Sequence, residues 1–180
     1  MKGSIVKCLS ELVKNNFGEH KWKDIMQISG QNPNMLIKAI SDVDDATFFN
    51  IFENTCKVLD ITRQQACDAF GEYFINTFAP KIYGSFYTQF KTAKQFIMGM
   101  DKVHDTVTNI VQNAHPPRFT IEEVDKNTIT VNYISHRNMI DLYMGLTRGV
   151  GKYFNTTIDI KKISDEKVEL TFSDSNELQS

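Results

Sequence analysis

At 180 residues, 41% hydrophobic and 23% charged, the chain has the make-up of one globular domain, long enough to enclose a ligand-sized cavity. A net charge of -2 with scattered basic residues argues against a nucleic-acid partner. There is no run of 18 apolar residues and no signal-peptide pattern, so no membrane span or secretion is expected and the cytoplasm is the expected compartment.

Residues 2 to about 17 carry Ile5, Leu9, Leu12 and Val13 at helical period, and Gly18 is placed to stop that helix. A second, short helix holds Trp22, Ile25, Met26 and Ile28 before Ser29-Gly30-Gln31-Asn32-Pro33-Asn34 breaks the pattern. Residues 43–59 and 63–79 predict two more helices. An aromatic-rich stretch through Phe86, Tyr87, Phe90 and Phe96 leads into a helix that carries His104 and runs to about Gln112. His115-Pro116-Pro117 forbids continuation. Residues 118–124 and 128–137 then predict strands about an Asp125-Lys126-Asn127 turn, residues 139–154 a helix, and residues 157–163 and 167–172 a second hairpin. The expected class is α+β: a helical lobe over about 1–112, an antiparallel sheet lobe with a packed helix over about 113–173, and a polar, frayed tail at 174–180. Cys8, Cys56 and Cys67, an odd number without CxxC spacing, read as reduced thiols in the core.

Two features carry chemistry. If Tyr133-Ile134-Ser135-His136-Arg137 lies on a strand, its period of two turns Tyr133, Ser135 and Arg137 to one face. The arginine fork and two hydroxyls would clamp an anion, and a pair of carboxylates on one flat ligand would suit them. His136 would point to the other face. His104 shares the apolar side of its helix with Ile97, Met100 and Val111. A neutral imidazole facing an apolar pocket is the usual axial ligand where iron keeps its other face open for a diatomic gas. Together the two features suggest heme. Separately, each also fits something plainer: a solvated strand face, and a hydrogen-bonded core histidine.

The order of motifs adds to this. Met1-Lys2-Gly3-Ser4-Ile5-Val6, Asp68-Ala69-Phe70-Gly71, Met100-Asp101-Lys102-Val103-His104, Pro116-Pro117-Arg118-Phe119, Tyr133-Ile134-Ser135-His136-Arg137 and Gly145-Leu146 follow one another. This succession resembles the heme nitric oxide/oxygen-binding (H-NOX) family, which includes the heme domain of soluble guanylate cyclase. The resemblance runs from residue 1 to about 173, with heme expected between the lobes.

It implies heme b (iron protoporphyrin IX) with His104 as the iron ligand, Tyr133, Ser135 and Arg137 on the propionates, and Pro117 against the porphyrin. In O2-binding members a distal tyrosine lies five residues after the motif arginine; the equivalent here is Leu142. The polar partner of that tyrosine corresponds to Phe74, and a position that is aromatic in some O2 binders is Leu9. Ile5, Leu9, Phe74, Phe78, Leu142 and Leu146 are therefore expected to form an apolar distal pocket that binds NO and CO and excludes O2. A donor hydrogen bond to bound O2, worth roughly 1.5–3 kcal/mol or about 10- to 150-fold in affinity, would be missing. Tyr143, one residue or about 100° away, is the competing donor. Signalling is expected to follow release of His104 and its helix when NO labilises the ligand trans to it, with Gly71 and Gly145 either as hinges or as points of close packing.

Because the chain ends shortly after the sensor fold, no catalytic domain is expected. The resemblance implies a separate effector, a histidine kinase as in two-component signalling or a cyclic-di-GMP enzyme. An O2-binding or O2/NO-reactive enzyme using Tyr143 and a heme-free module with a phenylalanine-rich core are the competing readings.

Overall fold

The computed structural model describes residues 1–174 as helices followed by a four-stranded antiparallel sheet, an α+β fold. The helices are α1 (Gly3–Phe17), α2 (Glu19–Ile28), α3 (Asp45–Leu59), α4 (Arg63–Tyr73), α5 (Ala79–Tyr87), α6 (Ala93–Ile110) and, after the first hairpin, α7 (Ile140–Tyr153). The strands are β1 (Arg118–Glu123), β2 (Thr128–Ile134), β3 (Thr156–Lys162) and β4 (Lys167–Asp174), in the order β1-β2-β4-β3.

Local chemistry sets the boundaries. Gly18 ends α1 at φ 91°, a left-handed conformation that only glycine adopts freely, and its N–H bonds the Lys14 carbonyl at 3.1 Å. Thr62 and Gln65 open α4 with a reciprocal capping box. Thr92 caps α6 by accepting from the Gln95 N–H at 3.2 Å. At the β1–β2 turn, Asp125 Oδ1 accepts from the Asn127 and Thr128 N–H groups, an Asx turn that fixes the hairpin register.

Three sequence expectations are corrected. The helix predicted over 63–79 is interrupted: Phe74–Phe78 form a π-helical turn between α4 and α5. Pro80, at the start of α5, has no N–H to give an α-helical bond and its ring crowds the preceding turn, so the chain widens ahead of it. The strand predicted to reach Arg137 stops at Ile134, because Ser135 to Asn138 form a turn in which Asn138 adopts φ 49°. The last strand runs beyond Phe172 to Asp174, which pairs with Thr156. The predicted tail otherwise lies outside the described residues.

The inward face of the sheet, including Ile129, Val131, Val168 and Leu170, is fully buried. Helix α7 joins this face to the helical lobe by crossing α4 at backbone contact. A Cβ on Gly71 would lie 2.1 Å from the Gly145 carbonyl carbon, one on Gly145 2.2 Å from the Cys67 carbonyl oxygen, and one on Gly149 2.6 Å from the Gly71 carbonyl oxygen. Neither Gly71 nor Gly145 has a positive φ, so close approach accounts for both glycines here. Cys8, Cys56 and Cys67 are buried free thiols, and burial raises the pKa of each. No helix among the described residues is long and apolar enough to cross a membrane.

Candidate heme site

A cavity of about 280 Å³ opens between the two lobes and is lined almost wholly by apolar side chains. Along α6 the spacing of Phe96, Ile97, Met100, Val103, His104 and Val107 turns one face of the helix to it. Val111 does not join them, since it is the extended residue that ends the helix. Ile5 of α1, Phe74 of the π turn, and Leu142 and Leu146 of α7 line the cavity as well.

Leu9 and Phe78, expected in the distal pocket, are not on its wall. Both are buried in the helical core. Phe78 falls at the end of the π turn, whose wider winding gives it a bearing different from the one an unbroken α-helix predicts; its ring packs 5.9 Å from that of Phe74. The wall instead includes Ile75, Ala79, Tyr83, Phe86 and Tyr87, from the π turn and α5.

His104 Nδ1 lies 2.7 Å from the Pro117 carbonyl oxygen. A carbonyl only accepts, so the proton sits on Nδ1 and Nε2 keeps its lone pair. Burial lowers the pKa of the ring, against the opposing influence of the Pro117 carbonyl and Asp101, and favours this neutral form. The Phe119 ring lies beside it, with centroids 5.4 Å apart.

Tyr133, Ser135 and Arg137 meet at the mouth of the cavity, but by a different route from strand alternation. Tyr133 comes from the end of β2, and the turn after it brings round Ser135 and Arg137, with the Arg137 N–H bonded to Ser135 Oγ at 3.2 Å. Burial raises the Tyr133 pKa, and the neighbouring Ser135 hydroxyl opposes it. The Arg137 side chain is only 11% exposed. Its Nε donates to Asp45 Oδ2 at 2.9 Å and its Nη1 to the His115 carbonyl at 2.6 Å. Among the described residues Nη2 has no partner, so its two hydrogens remain for an anion. Asp45 feels burial, which raises its pKa, but hydrogen bonds from the Met1 amino group and Arg137 outweigh this and hold it at about 2. His136 is exposed and lies 3.3 Å from Asp45.

Tyr143 lines the cavity too, on the histidine side. Its ring lies 5.1 Å from Phe119 and 5.8 Å from Tyr133, the same stack that touches His104. Its hydroxyl is buried, and burial pushes its pKa up against the opposing influence of the Thr147 hydroxyl. Leu142, about 100° round the helix, has a different bearing.

Sequence reading missed Asp45 because 92 residues separate it from Arg137. It also gave no role to Asp101, whose position three residues before His104 was the available signal.

These residues suit a flat, apolar, dicarboxylate ligand carrying a metal. One wall offers an imidazole with a free lone pair, the interior is apolar, and the mouth offers a guanidinium edge with two hydroxyl-bearing side chains. The family model described as haem-NO-binding matches residues 2–162. Two curated relatives from Caenorhabditis elegans, soluble guanylate cyclases gcy-32 and gcy-34, are each 24% identical, over 84% and 89% of this chain. The chain spans about a quarter of the length of those relatives (23% and 24%). Among solved structures, a mutant H-NOX of T. tengcongensis superposes with a TM-score of 0.85 at 26% identity, covering 97% of this chain and 98% of that one. An oxygen-binding H-NOX domain related to soluble guanylate cyclases superposes at 0.82 and 25% identity, covering 97% and 96%. The chain belongs to the haem-NO-binding family, the H-NOX domains that bind heme and sense gases.

Proposed function

We propose that this protein is a cytoplasmic sensor of nitric oxide that also binds CO and excludes O2. Bound heme b would supply an iron with one open position for the gas. His104 would hold the iron through Nε2, Arg137, Ser135 and Tyr133 would hold the propionates, and Pro117 would pack against the porphyrin. Ile5, Phe74, Leu142 and Leu146 would face the gas. Bound O2 gains from a hydrogen-bond donor, whereas NO and CO carry little charge and need none.

The observation that carries the reading is the bearing of Tyr143. Its ring belongs to the aromatic stack with Phe119 beside His104, and Leu142, which carries no donor, lines the cavity at the position expected for one. A sensor rather than a catalyst follows, since acid–base steps at bound oxygen want a polar group beside the gas. The gas would act by releasing His104, and α6 would then shift against β1 and alter the surface offered to a separate effector, a histidine kinase or a cyclic-di-GMP enzyme. The test is gas titration of the reduced protein: NO and CO change the heme spectrum and air does not, whereas a stable oxy spectrum contradicts the reading.

A further inference from the structure

Pro117, Arg118 and Phe119 are consecutive, and each bonds to the turn of α6 that carries Asp101, His104 and Asp105. The Pro117 carbonyl accepts from His104 Nδ1. The Phe119 N–H donates to Asp101 Oδ1 at 2.8 Å. Between them, Arg118 donates from Nε to Asp101 Oδ1 at 2.8 Å and from Nη2 to Asp101 Oδ2 at 2.7 Å, while Nη1 reaches Asp105 Oδ1 at 2.8 Å. Asp101 and Asp105 are four apart, neighbours along one side of the helix, and His104 lies within the turn they bracket. One guanidinium therefore spans the turn that carries the histidine.

We infer that Arg118 is a positioning residue for His104: its clasp on Asp101 and Asp105 fixes α6 against β1 and so fixes how the imidazole is presented to the cavity. This rests on the reading of His104 as the iron ligand. Isolated surface ion pairs contribute little to stability, and the Arg118 side chain is 45% exposed. Direction is what this one supplies. Two of its bonds form a bidentate fork on a carboxylate that also takes the Phe119 backbone N–H, so helix register and strand position are set together. The strand cannot yield easily, since Pro116 and Pro117 have fixed φ and Phe119 is paired with Tyr133. The carbonyl that sets the histidine tautomer is thus pinned from the residue beside it, and α6 cannot turn or slide on β1 without parting the fork. Partners that orient a metal-ligating histidine govern how well it ligates.

The test compares wild type with Arg118→Ala, Arg118→Lys and Asp105→Asn, each as purified and kept reduced under CO. Solvent exchange of the His104 Nδ1 proton is followed by histidine-selective NMR, and the iron–histidine stretching band is recorded by resonance Raman after CO is removed. Arg118→Ala should exchange this proton several-fold faster, shift the band and lose heme about tenfold faster, with its melting temperature little changed. Lysine keeps the charge but cannot fork, so Arg118→Lys should fall between. Asp105→Asn, which leaves the bidentate pair, should move least; if alanine does not fold, these two variants carry the test. Unchanged exchange and an unchanged band in a folded Arg118 variant would overturn the inference. Absence of an iron–histidine band in wild type would instead sink the reading of His104, and proton exchange alone would then decide the clasp.

Discussion

The two walls of the cavity are built in different ways. The histidine wall is cross-linked by directional bonds: His104 to Pro117, Asp101 to Phe119, and Arg118 to both aspartates. The opposite wall, from α1, the π turn and the leucine face of α7, combines backbone contact between α4 and α7 at glycine with hydrogen bonds to backbone carbonyls, from Asn76 to Gly149 and from Tyr87 to Ile75. On that side the bonds end on backbone carbonyls and leave an apolar lining, whereas on the histidine side they converge on the turn that carries His104. On the proposed reading, the wall that carries His104 would be the one to switch and the other the one to select the gas.

Removing the proposed iron ligand is the harshest way to break this contrast. His104→Gly should purify without heme, and added imidazole should restore a heme spectrum without restoring the link to α6. Gly145→Val attacks the packed wall: its Cβ would meet the Cys67 carbonyl at 2.2 Å, so a loss of about 3 kcal/mol or more is expected by thermal melting. Leu142→Tyr sharpens the contrast by placing a donor on the gas side, and O2 affinity should rise by roughly 10- to 150-fold. Tyr143→Phe should leave O2 exclusion unchanged; a change in O2 behaviour there would mean that its hydroxyl reaches the gas.

At the mouth, Arg137→Leu should release heme roughly 10- to 100-fold faster, measured by transfer to apomyoglobin, because a fixed charge-assisted donor is lost. The smallest effect is on pH dependence. Asp45 has a folded pKa near 2, below its ordinary 3.8, so it contributes stability that is complete above about pH 4 and is lost as pH falls through 2. Asp45→Asn should flatten that part of the melting-temperature curve between pH 4 and 2. Asp101, held at about 2 chiefly by Arg118, supplies a second part that should persist.

The α+β class was legible because helical and alternating patterns are local. Trp22, Ile25 and Met26 announced a buried helix face, and Asp125-Lys126-Asn127 a turn. What failed was also local in cause. A proline at 80 altered the winding before it, so the bearing of Phe78 could not be extrapolated from Phe74, and Leu9 sank into the core one turn beyond Ile5. The clamp residues were named for a strand that ends too early; a turn with Asn138 in the left-handed region gathers them instead. Asp45, joined to Arg137 from 92 residues away, left no periodic trace. His104 was legible as an apolar-face histidine, but its tautomer depends on a carbonyl 13 residues on, which only folding brings near.

The most direct single measurement is the absorption spectrum of the anaerobically reduced protein, taken in sequence before air, after air and after NO. A heme band that holds in air and shifts with NO would match a gas side on which no donor reaches the bound gas. A stable oxy spectrum in air would contradict it.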